Sequence, residues 1–163
     1  ILESKLIKNE SKPIKIEKKV TKRKQNIRAV EEILYYMMNN VKYANIFNKE
    51  LNYIPDKTYF EIEKDIQAYI ILNNTINMAD FITYEMNNDR DKLVREIINN
   101  HDIDIDMNDE EFLSYINIVN KWIKDNKITE LKTELKSVTD INRKKELMDM
   151  ITKIKRGSEK YGK

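Results

Sequence analysis

The sequence predicts an all-α protein: a helical bundle followed by a long helix and a C-terminal antiparallel helical hairpin. Three observations predict it. Apolar residues recur at helical spacing in seven successive stretches. Gly and Pro number two each, too few for the tight turns of a β-fold or for a Gly-rich phosphate cradle. Hydrophobic residues make up 40% and charged residues 36%, which suits helices with one apolar and one solvated face.

The 163 residues fit one domain, or one domain with a small appendage. The chain begins at Ile1, so it is expected to be a piece of a longer protein. It has no Cys, which excludes disulfides and thiolate metal sites and is compatible with a cytoplasmic location. No apolar run reaches the length of a membrane span.

Residues 1–26 carry nine Lys/Arg against three Glu, whereas residues 27–163 carry 21 basic against 25 acidic side chains. The first segment shows no sustained apolar stripe and is expected to be a flexible basic linker. A basic arm touching nucleic acid is the alternative, and any such contact is expected to be weak. The remainder is mildly acidic, a poor match to the basic face of a nucleic-acid-binding domain.

Residues 27–125 read as the bundle. The spacing of Val30, Ile33, Leu34, Met37 and Met38 predicts a helix over 27–39. Ala44, Phe47 and Leu51 predict a second over 41–51, closed by the turn at Pro55-Asp56. A third spans 58–74, with Thr58 and Glu61 as a capping box. Ile62, Ile66, Tyr69 and Ile70 form its stripe. Ile71 and Leu72 widen that stripe, which predicts a central place in the bundle. Met78, Phe81, Ile82 and Met86 mark a fourth helix over 77–87. Leu93, Val94, Ile97 and Ile98 mark a fifth over 90–100.

The sixth helix, opened by Asn108 and Glu111 as a second capping box, carries two stripes. Phe112, Ile116, Val119 and Ile123 form one; Ile128, Leu131, Leu135 and Val138 form the other. At about 100° per residue the second is rotated by about 110° from the first. Residues 108–125 should therefore close the bundle while the helix runs on out of it. Ser137–Asp140 offer capping residues for a last helix over 140–156, striped by Leu147, Met150, Ile151 and Ile154. Residues 126–156 thus read as an antiparallel hairpin, and 157–163 as a frayed tail.

Candidate chemistry is sparse. His101 is the only His, and it reads as a cation at the end of the fifth helix, suited to the macrodipole and without ordered partners. Asp102, Asp104 and Asp106 alternate like a calcium loop. Positions six and twelve of that loop hold Met107 and Leu113, where Gly and Glu are needed. Acidic pairs elsewhere read as solvated helix faces. Trp122, at the edge of its stripe, reads as a rim residue or as a binding anchor. No nucleotide or nucleophile motif is present, so the fragment is expected to be non-catalytic. Residues 143–163 hold eight Lys/Arg against three acids, either complementing a helix C-terminus or steering toward an acidic partner.

AVEEILYYMM (29–38), YFEIEKDIQAYIILNNT (59–75) with MADFIT (78–83), and ITELKTELKSVTDINRKKELMDMITKIKR (128–156) resemble, in that order, segments of one family. It is the C-terminal helicase-binding domain of bacterial DnaG-type replicative DNA primases. The likeness spans about residues 27–156; the hairpin departs from it in having few alanines. The resemblance implies docking of the hairpin on the N-terminal domains of a hexameric, DnaB-type replicative helicase. It implies that the domain recruits primase to the replication fork and modulates the helicase. It implies no cofactor in this part, with zinc and a divalent metal belonging to upstream domains, and a monomeric fragment. The expected docking residues are Ile128, Leu131, Leu135, Leu147, Met150, Ile151 and Ile154, flanked by Lys153 and Arg156. Two alternatives stay open: the N-terminal domain of the helicase itself, to which the family's bundle is similar, and a nucleic-acid-binding helical module.

Overall fold

The computed structural model describes residues 13–157 apart from Ile105, with side chains from Lys24 onward. Among these residues it contains seven helices and no strand. They are α1 (Pro13–Asn39), α2 (Val41–Glu50), α3 (Lys57–Asn73), α4 (Met78–Met86), α5 (Asp91–Asn100), α6 (Asp109–Ser137) and α7 (Ile141–Lys155).

The first helix corrects the sequence reading. It begins at Pro13, not near residue 27, so at least residues 13–26 are no unstructured linker. Two physical reasons account for this. Proline suits the first position of a helix, where its missing N–H is not needed. The stretch after it is rich in Lys, Glu, Arg and Gln, which are good helix formers even without an apolar stripe. A helix already anchored at one end is extended far more cheaply than it is nucleated. Residues 1–12 and 158–163 lie outside the described residues, as do the readings made of them.

The anchor is the second half of α1. Ala29, Val30, Ile33, Leu34, Tyr36, Met37 and Met38 are all buried, and α1 packs against α2, α3, α4, α5 and α6. This helix, rather than α3, is the centre of the bundle. The expectation for α3 fails because its extra apolar residues stand in solvent: Ile71 is 78% and Leu72 71% exposed. Ile62 and Ile66 are the apolar residues of α3 buried in the core, Tyr59, Phe60, Tyr69 and Ile70 pack against it in part, and the neighbours of α3 are α1 and α4. Apolarity on two sides marked a helix end without cover, not a central position.

Short polar side chains set most of the helix starts. Asn40, Asn77, Asn108 and Asp140 each accept a hydrogen bond from a first-turn N–H, satisfying one of the donors that a helix leaves open. The start of α3 differs from expectation. Asp56 is the cap, accepting from the backbone N–H of Thr58 at 2.9 Å and of Tyr59 at 3.3 Å. Thr58 is displaced because Asp is at least as good a cap and stands two residues earlier. The expected partner, Glu61, turns instead toward Arg90, 3.4 Å from Nη1. At α6 the cap falls on Asn108 as expected, while the Glu111 carboxylate accepts the Tyr115 hydroxyl at 2.7 Å.

Two separate apolar cores result. The large one joins α1 to α5 with the first half of α6. Tyr36, Tyr43 and Phe112 pack there with ring centroids 4.9–5.4 Å apart, a spacing at which aromatic pairs add to simple burial. The small one lies between the second half of α6 and α7. Helix α6 is a single 29-residue helix, about 43 Å long at 1.5 Å per residue. Phe112, Ile116, Val119 and Ile123 face the large core, and Leu131 faces the small one. Both stripes lie on one unbroken helix, except that Val138, the last member of the second, caps it in extended backbone.

Candidate functional site

The terminal hairpin is built from residues 126–157. Val138 ends α6, its N–H donating to the Glu134 carbonyl at 3.0 Å, and Asp140 starts α7 by accepting from the Asn142 N–H at 2.8 Å. Joined by so few residues and packed along a shared apolar seam, the two helices form an antiparallel hairpin. The Arg143 guanidinium braces the turn: Nε and Nη2 donate to Glu134 Oε1 at 2.9 and 2.7 Å, and Nη1 to Glu146 Oε2 at 3.1 Å. Lys153 and Lys155 occupy the last turn of α7, where cations complement the helix dipole. Gly157 follows with φ +73°, a left-handed conformation that favours glycine.

The nine residues expected to contact a partner divide into three groups. Leu131, Leu147, Ile151 and Ile154 are buried in the seam between α6 and α7. Ile128, Leu135 and Met150 line the edges of that seam and are partly buried. Lys153 and Arg156 are exposed. The stripe that periodicity picks out most strongly is therefore the stripe that holds the hairpin together. Two residues passed over in the sequence, Ile141 and Met148, are the apolar side chains of α7 that stand open, at 69% and 58% exposure. Their signal was a seven-residue spacing with Lys144 between them, weaker than the seam's own pattern.

Elsewhere the structure revises the reading of the charged residues. His101 is not an unpartnered terminal cation. It is buried, its Nδ1 lies 2.7 Å from Glu32 Oε2, and its ring stacks on Tyr35 with centroids 3.6 Å apart. Both partners come from α1, across a sequence gap that no local pattern spans. Beside them, Glu31 accepts the Tyr59 hydroxyl at 2.8 Å and the Asn100 amide at 3.3 Å. This network ties α3 and α5 to the central helix.

Nor are all acids on solvated faces. Glu32, Glu63 and Glu85 are buried. Glu85 of α4 sits in a cluster with Asp65 and Glu61 of α3 and Arg90 before α5. Arg90 Nε lies 2.6 Å from Asp65 Oδ2 and 3.8 Å from Glu85 Oε2. Asn88 donates to Glu85 Oε1 at 3.1 Å. Burial, reinforced by the charge of Asp65, pushes the Glu85 carboxyl up to about 7 despite Asn88 and Arg90. Trp122 packs against the main core, the rim reading of its position. Asp102 accepts from the Asp104 N–H at 3.1 Å within a loop. Among the described residues no group of three or more His, Cys, Asp or Glu is arranged to hold a metal ion, and no helix is long and apolar enough to cross a membrane.

No family model, curated protein or solved structure matches this chain.

Proposed function

We propose that this chain is a protein-docking module, the helicase-binding domain of a bacterial DnaG-type DNA primase. The observation that carries the reading is the division of α6 between two cores. One half closes the bundle; the other leaves it and, with α7, builds a second small core of its own. Helix α7 packs principally on α6, so most of the hairpin's surface faces away from the bundle. Such an element is suited to engage another protein.

On this reading the domain performs no chemistry. It tethers a primase to a hexameric replicative helicase, and tethering raises the effective concentration of primase at unwound template. The seam residues Leu131, Leu147, Ile151 and Ile154 keep the hairpin folded, and contact falls to the seam edges and the outer faces, with the exposed Lys153 and Arg156 at the end of α7. Titration calorimetry of the chain against the N-terminal domains of the replicative helicase from the same organism tests the proposal. Saturable binding that disappears when residues from Val138 onward are deleted is the expected result. Absence of heat and of co-migration for the intact chain overturns it.

A further inference from the structure

One face of α7 is left uncovered in a regular way. Ile141, Lys144, Met148, Thr152 and Lys155 follow one another at spacings of three, four, four and three residues, and all five are exposed. At about 100° per residue they form a single stripe about 80° wide, set about 100° around the helix from Leu147 in the seam. The Thr152 hydroxyl donates to the Met148 carbonyl at 2.9 Å, so that side chain turns its polar atom inward to its own helix. The row thus presents two large apolar side chains and a methyl group, with one lysine between the first two and one at the C-terminal end.

Charge gives the row a direction. Residues 126–157 carry nine Lys/Arg against five Asp/Glu, whereas residues 13–125 carry sixteen against twenty, six of the sixteen lying before residue 27. An acidic partner is attracted by the hairpin and repelled by the body of the bundle beyond the basic start of α1, which biases the encounter toward the hairpin. A phosphate backbone satisfies lysines but offers nothing to Ile141 and Met148. Unpaired bases are held by stacking on aromatic rings, and this row has none. A protein surface with an apolar groove edged by Asp and Glu satisfies every member of the row.

We infer that the row Ile141–Lys144–Met148–Thr152–Lys155 is the contact surface of the hairpin, and that its occupant is an acidic-edged apolar groove on a partner protein. The inference rests on the docking reading above and assigns that groove to the helicase N-terminal domains. Among the seam edges and outer faces of the hairpin it singles out this one.

The test compares the intact chain with Met148→Asp, Ile141→Asp and Lys144→Glu, each at an exposed site, with circular-dichroism melts confirming an unchanged fold. Each apolar substitution is expected to weaken binding to the helicase N-terminal domains by about tenfold or more, as at an interface anchor. Lys144→Glu is expected to slow association and to flatten its salt dependence. Wild-type affinity in both folded aspartate variants overturns the row while leaving the docking function standing. No binding by the unmodified chain removes the docking function and the assigned occupant together. Binding of an oligonucleotide that is lost in Lys144→Glu, with helicase affinity kept, overturns the inference in favour of a nucleic-acid surface.

Discussion

His101 and Glu32, 69 positions apart in the chain, meet inside the bundle with Nδ1 2.7 Å from Oε2. The contact fastens the end of α5 to the central helix, and Tyr35 stacks on the same ring. Replacing His101 with Ala leaves the Glu32 carboxylate buried, with the half-exposed Arg28 guanidinium 3.7 Å away. Removing one member of a buried pair strands the other, so His101→Ala is expected to destabilise the fold by about 2–4 kcal/mol. Glu32→Gln keeps an acceptor and is expected to lose less. Urea unfolding of the two variants checks the order; equal, small losses count against the contact as a fastening.

Glu85 makes stability depend on pH. Its carboxyl titrates near 7 in the folded chain, against an ordinary value of 4.5. Below about 4.5 both folded and unfolded chains hold the proton. Between about 4.5 and 7 the unfolded chain releases it first, so the folded state binds more protons and stability falls as pH rises. The contribution is fully lost above about 7 and amounts to on the order of 3 kcal/mol. Glu85→Gln, which still accepts from Asn88, is expected to flatten this fall and to be more stable than the parent at pH 8. Denaturation midpoints across pH 4–8 decide it; parallel profiles for the two proteins refute the assignment.

Leu147 is fully buried in the seam, where its neighbours number only a few residues. Leu147→Ala is expected to cost about 2–4 kcal/mol of local stability, the usual loss for a leucine in a core that relaxes only in part. The damage is expected to stay in the hairpin, because the large core shares none of the seam side chains. Amide exchange checks this: faster exchange in α7 with α1 protection unchanged is the expected pattern. Uniform loss across both cores contradicts two separate cores.

Asp56 and Thr58 offer a direct test of which residue caps α3. Asp56→Ala removes an acceptor shared by two backbone N–H groups and is expected to cost about 1 kcal/mol. Thr58→Ala removes no cap and is expected to change stability by less than about 0.5 kcal/mol. Thermal unfolding of both variants distinguishes them, and a reversed order restores the capping box.

Much of the architecture was legible. The two stripes of α6, rotated against each other, announced a helix serving two cores, and Asn108 and Asp140 mark its start and the start of α7 as their residue types suggest. The docking surface was less legible. Leu131, Leu147, Ile151 and Ile154 formed the clearest apolar stripe, and a stripe reports only that something covers it. Whether the cover is another part of the same chain or a partner is a question about packing. Ile141 and Met148 belong to a sparser pattern that helical spacing alone does not separate from a solvated face.

Local signals therefore determined the helices, most of their caps and the two-faced sixth helix, because spacing and capping act within one or two turns of chain. Tertiary structure decided what sits at the centre, which carboxylates lose contact with water and which apolar side chains stay open. Glu32 is buried because His101 reaches it from the far end of α5, and Ile71 is exposed because none of the described helices crosses it. Those outcomes depend on residues tens of positions apart meeting in space, and helical periodicity carries no record of such meetings.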